Sequence, residues 1–209
     1  MNCLFFGDSL TEGDNCDCKF TDFLPDEYNV RNFGVSGTTI GEYSIYPVDG
    51  NSLLSQIAKH QNEIHNATHI FIEYGANDVS AVMCGVATVK TVVVSFVKAI
   101  DWIRQLNSEA RIIFLAPGSD AIIDEKSYNM CKYLEDEYFE NFNFKFPGTL
   151  YADYYKDIIN NISNVCDIMY MFDDDMEWEA EYLSDDNIHP NRKGHIRISR
   201  NIEKQLFYH

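Results

Sequence analysis

Short apolar runs alternate with longer amphipathic segments along this chain. Five runs have the composition and length of buried β-strands: residues 3–6, 28–33, 70–72, 112–116 and 168–172. The run at 112–116 is apolar without interruption, which is typical of a strand buried on both faces of a parallel sheet. Glycine and polar residues follow several of the runs, so the predicted strands end at loops.

Helical spacing of apolar residues is found between the predicted strands. The clearest example keeps a period of 3.6 despite its β-branched content and comprises Val89, Val92, Val93, Phe96, Val97, Ile100, Ile103 and Leu106. A second helix is predicted from Leu53 to Ile64, with Asn51 or Ser52 as its N-cap. Other helices are predicted at 20–24, 127–141, 148–162 and 191–207. This alternation indicates an α/β fold whose parallel strands are joined by right-handed crossovers.

Length and charge narrow the class of protein. The chain has 209 residues, a size that α/β folds cover as one domain, and we expect a single domain spanning residues 1–209. The formal net charge of −17 repels polyanions, so neither nucleic acid nor an anionic membrane surface is an expected partner. Because no apolar run is long enough to cross a bilayer, membrane insertion is not expected.

The cysteines and the first residues bear on the cellular compartment. The first predicted strand begins at residue 2 or 3, which leaves no room for a secretory signal, so we expect a cytoplasmic protein. Six cysteines are scattered through a core-sized domain, a pattern that fits reduced thiols better than a disulfide framework. Cys16 and Cys18 form a C-x-C pair without a second Cys or His cluster, which is poor evidence for zinc. Neither a metal nor another cofactor is predicted.

Three segments of biased composition leave alternatives open. Aromatic residues are dense between 133 and 155, where they either cover a substrate or partner or, as we favour, pack in the core and at its boundary. The acidic run at 173–181 lacks the glycine and ligand spacing of a calcium loop, so a solvated edge explains it better. Tyr43 and Tyr46 lie on a predicted loop, where they could stack against a sugar ring or an acyl chain.

Candidate chemistry is concentrated where predicted strands end. Ser9 follows the first strand, Gly37 the second and Asn77 the third, and Asp186 and His189 precede the last helix. The carboxyl ends of strands in an open parallel sheet line one crevice, so the first three are expected to converge. A serine hydroxyl needs a histidine to remove its proton, and the histidine needs a carboxylate to orient it. The N–H groups of Ser9 and Gly37 and the Asn77 amide would stabilise an oxyanion.

Four short blocks give the chain a resemblance to a known family. They are Gly7-Asp8-Ser9-Leu10, Asn32-Phe33-Gly34-Val35-Ser36-Gly37, Gly75-Ala76-Asn77-Asp78 and Asp186-Asn187-Ile188-His189-Pro190. In their order and spacing they resemble the four sequence blocks of the SGNH/GDSL hydrolases, and the resemblance runs from residue 4 to residue 191. It implies a flavodoxin-like three-layer α/β/α sandwich around a central parallel sheet of about five strands.

The same resemblance implies a role for each site residue. Ser9 would be the nucleophile, His189 the general base and then acid, and Asp186 the carboxylate that orients it. Gly37 and Asn77 would donate hydrogen bonds to the oxyanion together with the backbone N–H of Ser9. The G-x-S-x-G elbow of α/β-hydrolases is absent around Ser9, which argues against that competing fold.

These residues together predict a serine esterase, although each has a structural explanation when taken singly. We expect hydrolysis of short-chain acyl esters, above all acetyl esters, with acetylated carbohydrates among the candidate substrates. The alternatives are an acyltransferase using the same site, a lysophospholipase or thioesterase and, less favoured, a non-catalytic carbohydrate-binding relative. His195 and His209 are interpreted as ordinary structural residues. Convergence of a nucleophile, a base, an orienting carboxylate and oxyanion donors is what acyl transfer requires.

Overall fold

Five parallel strands form the centre of the molecule. The computed structural model describes residues 1–46, 50–116, 148–172, 180–186 and 188–208. The strands are β1 (Asn2–Gly7), β2 (Asn29–Gly34), β3 (His69–Glu73), β4 (Arg111–Ala116) and β5 (Asp167–Tyr170). Each coincides with a predicted apolar run to within one or two residues, which confirms the strand predictions.

Helices connect these strands. They are α1 (Ser9–Glu12), α2 (Leu53–Lys59), α3 (Gln61–His65), α4 (Ala76–Met83), α5 (Val89–Leu106), α6 (Gly148–Ile162) and α7 (Arg192–Tyr208), with 3₁₀ helices at Phe20–Phe23 and Ala180–Tyr182. The predicted helices at 148–162 and 191–207 are confirmed. The helix predicted from residue 53 to 64 is instead two helices that meet at His60, whose φ of −114° and ψ of 30° depart from helical values.

The sheet has the order β2-β1-β3-β4-β5, and all of its neighbouring strands pair in parallel. Gly7 at the end of β1 lies opposite Gly34 of β2 and opposite Glu73 of β3. The carboxyl ends of these three strands therefore meet at one edge of the sheet. This arrangement confirms the predicted α/β fold with a five-stranded parallel sheet.

Two hydrophobic clusters pack against the two faces of the sheet. Along β1, Leu4 and Phe6 belong to the cluster that also contains Phe96 of α5, whereas Phe5 belongs to the cluster that contains Ile198 of α7. Alternate side chains of a strand point to opposite faces, so both faces of β1 are buried. Helices thus cover the sheet on each side, which gives the three layers expected from the sequence.

Some predictions lie outside the described residues. They include the helix at 127–141, most of the aromatic segment, the acidic run at 173–179, Cys131, Asn187 and His209. In the part of the chain that the structure describes, none of the helices combines the length and apolar character needed to span a bilayer.

Candidate active site

Ser9 lies at the point where β1 turns into α1. A Cβ at Gly7 would lie only 2.0 Å from the Thr11 hydroxyl oxygen and 2.8 Å from the Glu73 carbonyl oxygen, so this tight turn requires glycine. Asp8 caps α1 by accepting a hydrogen bond of 3.1 Å from the Leu10 backbone N–H. Ser9 is the first residue of the helix, so its N–H has no acceptor within α1. Its side chain is half-buried at the carboxyl end of β1.

Ser9, His189 and Asp186 are connected side chain to side chain. His189 Nε2 lies 2.8 Å from Ser9 Oγ, and His189 Nδ1 lies 2.5 Å from Asp186 Oδ2. The ionised carboxylate accepts the Nδ1 hydrogen, which leaves Nε2 free to accept the hydrogen of the serine hydroxyl. The folded chain therefore brings together residues that are 180 positions apart in sequence, in the order that activates a serine.

The Asp186 carboxylate is fixed by the loop that carries His189. Its Oδ1 accepts hydrogen bonds from the backbone N–H groups of Ile188 at 2.9 Å and His189 at 3.0 Å. Partial burial acts to raise the pKa of Asp186, but the hydrogen bonds from the His189 ring and from the two backbone amides outweigh it and hold the pKa well below its ordinary value. Asp186 is therefore ionised at neutral pH and can stabilise a protonated imidazole.

Asn77 occupies the first turn of α4, beside the residue that precedes Ser9. Its side-chain amide donates hydrogen bonds to Asp8 Oδ2 at 3.2 Å and to the Thr38 carbonyl oxygen at 2.9 Å. These contacts aim the amide nitrogen of a nearly buried residue toward the edge where β1 and the loop after β2 meet. The sequence did not predict α4, because Asn77, Asp78 and Ser80 are residue types that favour turns. In the structure all three are buried within this helix.

Gly37 lies in the loop after β2, with a φ of 73° that favours glycine. The backbone N–H of Val35 donates to the Gly7 carbonyl oxygen at 3.0 Å, which joins this loop to the end of β1. The Ser44 hydroxyl donates to the Gly37 carbonyl oxygen at 2.6 Å. Gly37 is thus held on the same edge as Ser9, with Asn77 bonded to the next residue, Thr38.

Asn15 is a further residue of this site, and sequence reasoning missed it. Its side-chain nitrogen lies 2.5 Å from Asp186 Oδ2 and 3.3 Å from His189 Nδ1. It belongs to the polar stretch after Ser9, where a single asparagine carries no sequence signal that distinguishes it from a turn residue. Only its backbone φ of 57°, rare for a residue other than glycine, marks it in the fold.

Two other groups near the site have different roles. His195 is fully buried and its ring stacks on that of Phe20 with the centroids 6.4 Å apart. Burial lowers the pKa of His195 to about 4, so this imidazole is neutral at physiological pH, in keeping with a structural residue. Cys16, Asp17 and Cys18 are the one set of neighbouring ligand atoms, among the described residues, that is close enough to hold a metal ion.

Comparisons with known proteins point to one family. The model of the GDSL-like lipase/acylhydrolase family matches residues 5–197, which is most of the chain. No curated protein sequence matches.

Solved structures share the fold. A lipase/acylhydrolase from Enterococcus faecalis is 18% identical with a TM-score of 0.62, over 99% of this chain and 95% of that one. Est24, a carbohydrate acetylesterase from Sinorhizobium meliloti, is 14% identical with a TM-score of 0.60, over 99% and 98% of the two chains. A family 3 carbohydrate esterase from Clostridium thermocellum is 15% identical with a TM-score of 0.58, over 98% and 94%. At these identities the likeness establishes the fold.

Proposed function

Because this chain belongs to the GDSL-like lipase/acylhydrolase family, we propose that it is a serine esterase that forms an acyl-enzyme on Ser9. The observation that carries the proposal is the hydrogen-bonded series from Ser9 Oγ to His189 at 2.8 Å and from His189 to Asp186 at 2.5 Å. Serine is a weak nucleophile unless a base within hydrogen-bonding distance takes its proton, and this series supplies such a base.

The reaction has two halves. In the first, Ser9 Oγ attacks the ester carbonyl carbon while His189 Nε2 takes the hydroxyl proton, and Asp186 stabilises the imidazolium. His189 then gives that proton to the departing alcohol, which leaves the acyl group on Ser9. In the second half, His189 takes a proton from water, the water oxygen attacks the acyl carbon, and the acid leaves as the proton returns to Ser9.

Three donors would stabilise the negative oxygen of each tetrahedral intermediate. They are the backbone N–H groups of Ser9 and Gly37 and the side-chain amide of Asn77. The contacts of Asn77 with Asp8 and with the Thr38 carbonyl support its inclusion, because Asp8 precedes Ser9 and Thr38 follows Gly37. Both hydrogens of the amide are used in these contacts, so one of them must turn to the oxyanion as it forms. A backbone N–H that is already oriented needs no rearrangement when the charge develops.

Short-chain esters of carbohydrates are the substrates that we favour. A cavity of about 140 Å³ lies beside the Gly37 loop, and its lining includes the polar side chains of Glu42, Ser44 and Ser52. The Ser44 hydroxyl also holds the Gly37 carbonyl, so the cavity adjoins a proposed oxyanion donor. Hydroxyl and carboxylate groups in such a cavity match the hydroxyls of a sugar better than a long acyl chain. Two of the structural neighbours are named as carbohydrate esterases.

Ser9→Ala tests the mechanism. The variant should lose at least about 10⁴-fold in kcat on p-nitrophenyl acetate, since the nucleophile and the general base act as a unit. An organophosphonate should add to Ser9 of the wild type and not to the variant, as mass spectrometry of the labelled peptide would show. Ser108→Ala, at an exposed serine after α5, is the matched control and should keep full activity. Undiminished turnover in Ser9→Ala would rule the mechanism out.

Comparing acyl and alcohol groups tests the substrate class. Rates on p-nitrophenyl esters should fall as the acyl chain lengthens beyond acetate, and acetylated xylan should be deacetylated faster than lysophospholipid is cleaved. A preference for long acyl chains would contradict the assignment of the polar cavity while leaving the role of Ser9 intact.

A further inference from the structure

We propose that Asn15 is a positioning residue that holds the Asp186 carboxylate and adjusts how strongly that carboxylate attracts the proton of His189. The proposal rests on the function proposed above and adds a residue that none of the four sequence blocks contains. It is carried by the contact of 2.5 Å between the Asn15 side-chain nitrogen and Asp186 Oδ2.

The chemistry of the contact fixes the orientation of the Asn15 amide. An ionised carboxylate only accepts hydrogen bonds, so the atom of Asn15 that faces Asp186 must be the nitrogen, which donates. The same nitrogen lies 3.3 Å from His189 Nδ1, the atom that also bonds Asp186 Oδ2. Asn15 and His189 therefore share one carboxylate oxygen.

The four acceptor positions of the Asp186 carboxylate are used in two pairs. Oδ1 accepts from the backbone N–H groups of Ile188 and His189, and these bonds come from the loop of Asp186 itself. Oδ2 accepts from the His189 ring and from Asn15, which comes from the other end of the chain. Asn15 is thus the one long-range donor in this set, and it fixes the carboxylate against rotation out of the plane that His189 needs.

The backbone around Asn15 is anchored to both sides of the site. Its carbonyl oxygen accepts a hydrogen bond of 3.2 Å from the Ser184 hydroxyl, on the loop that leads to Asp186. The preceding residue, Asp14, accepts one of 2.5 Å from the Ser36 hydroxyl, next to Gly37. Asparagine tolerates the left-handed φ of 57° better than most residues, so it suits both the backbone and the contact.

Loss of the amide should change the response to pH. A donor on Oδ2 withdraws charge from the carboxylate and weakens its attraction for a protonated imidazole. Without that donor the protonated ring is more stable, so the general base is lost at a higher pH than in the wild type. A purely structural role for Asn15 would lower activity without moving this pH.

The experiment uses two substitutions that the left-handed backbone accepts. Asn15→Gly removes the amide, and Asn15→Asp replaces it with a second carboxylate of the same shape. We expect kcat/KM to fall about 10-fold in the first and about 100-fold in the second. The midpoint of the acidic limb of the kcat/KM profile should rise in both, further in Asn15→Asp. Asn66→Gly, at an exposed asparagine far along the chain, is the control and should change neither.

A measurement without substrate separates this proposal from the proposed function. The proton between His189 Nδ1 and Asp186 should give a downfield NMR resonance whose titration midpoint rises in Asn15→Gly and Asn15→Asp. If neither that midpoint nor the acidic limb moves, the proposal is wrong, even if activity falls. If the resonance responds but Ser9→Ala retains activity, Asn15 still positions Asp186 and the esterase mechanism is what fails.

A second, separate contact lies just beyond Asn15. The Sγ atoms of Cys16 and Cys18 are 3.2 Å apart, closer than unbonded sulfur atoms usually lie. Cys16 is partly exposed and Cys18 is buried. We infer that this pair is a site of reversible disulfide formation that lowers esterase activity. A disulfide would draw the sulfur atoms to about 2.05 Å and displace the backbone beside Asn15.

The two thiols have different parts in the exchange. Cys16 is partly exposed whereas Cys18 is buried, so a soluble disulfide reaches Cys16 first and the first exchange takes place on its sulfur. The Cys16 thiolate attacks oxidised glutathione and displaces one glutathione thiolate, which forms a mixed disulfide on Cys16. The Cys18 thiol then loses its proton, its sulfur attacks Cys16 Sγ, and the second glutathione leaves. Two protein thiols are oxidised while one small disulfide is reduced to two thiols.

Peptide mass mapping across a series of reduced and oxidised glutathione ratios tests this inference. The wild type should yield a peptide containing Cys16 and Cys18 that is lighter by two hydrogens, with kcat/KM about 3- to 10-fold lower and restored by dithiothreitol. Cys18→Ser should stop at the glutathione adduct, and Cys84→Ser should behave like the wild type. A lasting adduct on Cys16 in the wild type, or a disulfide that leaves activity unchanged, would overturn it.

Discussion

Asp186 and Asp78 are two carboxyl groups at the same edge of the sheet with opposite electrostatics. Asp186 is partly exposed and accepts hydrogen bonds on both oxygens, and its pKa is held well below the ordinary value. Asp78 is fully buried, and burial raises its pKa to about 7 against the hydrogen bonds that it accepts. Asp186 is therefore ionised at neutral pH, whereas Asp78 keeps its proton up to a pH of about 7.

The partners of Asp78 explain the difference. Its Oδ1 accepts from the Ile40 backbone N–H at 3.0 Å and from the Tyr43 hydroxyl at 2.8 Å. Its Oδ2 is buried and has no hydrogen-bond partner among the described residues. The nearby charge of Asp8 raises the pKa further. The two carboxyl groups thus differ because Asp186 accepts hydrogen bonds on both oxygens, whereas buried Asp78 accepts them on Oδ1 alone.

Asp186→Asn should have the largest effect on activity. The two backbone amides would keep the new side-chain oxygen at the Oδ1 position, so the NH₂ group would face His189 Nδ1 and favour the wrong tautomer. We expect kcat to fall about 10⁴-fold, as measured by steady-state hydrolysis of p-nitrophenyl acetate. An intact circular dichroism spectrum, which shows that the variant still folds at pH 7, is the control. A loss below 10-fold would mean that Asp186 does not orient His189.

Asn77→Ala should have the next largest effect. Asn77 is the neighbour of Asp78 on α4, but its side chain lies toward Ser9 rather than toward Tyr43. Loss of an oxyanion donor should lower kcat by about 10²- to 10³-fold while KM changes little. Steady-state kinetics with Asn77→Asp as the isosteric companion would check this. A change confined to KM would remove Asn77 from the oxyanion hole.

Asp78→Asn should change the pH dependence of stability. The pKa of Asp78 is about 7 in the folded protein and about 4 in an unfolded chain, so the folded state binds the proton more tightly. The stability that this proton contributes is fully present below pH 4 and is lost as the pH rises through 7. Asp78→Asn has no such proton to release, so its free energy of unfolding should not show this decline, which amounts to at most about 4 kcal/mol in the wild type.

Urea unfolding of wild type and Asp78→Asn at pH 5 and pH 8 measures this effect. The stability of the variant relative to wild type should increase with pH, and Asp101→Asn, at an exposed site on α5, should show no such trend. The stability of Asp186→Asn relative to wild type should instead change below pH 4 and rise as the pH falls. The lowered pKa of Asp186 gives the wild type stability that is lost over that range. If the stabilities of Asp78→Asn and Asp186→Asn relative to wild type changed with pH in the same way, the proposed difference between the two carboxyl groups would be wrong.

Tyr43→Phe should have the smallest effect. It removes one donor to Asp78 Oδ1 and leaves the Ile40 amide in place, at a cost of about 1 to 2 kcal/mol in the free energy of unfolding. Because the Tyr43 hydrogen bond lowers the pKa of Asp78, its loss should shift the decline in stability to higher pH. Tyr170→Phe, at an exposed tyrosine of β5, is the control. An unchanged pH profile would mean that Tyr43 does not control the charge of Asp78.

Much of the fold could be predicted because local patterns agreed with the tertiary structure. The apolar runs became strands, and the three central ones, β1, β3 and β4, are buried on both faces. The 3.6-residue period of the helix after residue 88 gave α5, with Phe96 and Ile100 buried. The helix α4 could not be predicted, since its polar residues are stabilised by distant partners such as Ile40 and Tyr43. The break at His60 was missed because both halves of the segment keep one apolar face.

The sequence by itself determined the order of strands and helices, and its four blocks identified the candidate residues Ser9, Gly37, Asn77, Asp186 and His189. Spacing along the chain determines which residues share a strand or a helix face, and that information is local. Only the tertiary structure decided that Ser9 and His189 lie within a hydrogen bond of each other, that Asn15 contacts Asp186, and that the pKa of Asp78 is raised while that of Asp186 is lowered. These properties depend on burial and on contacts between distant parts of the chain, which a local pattern does not encode.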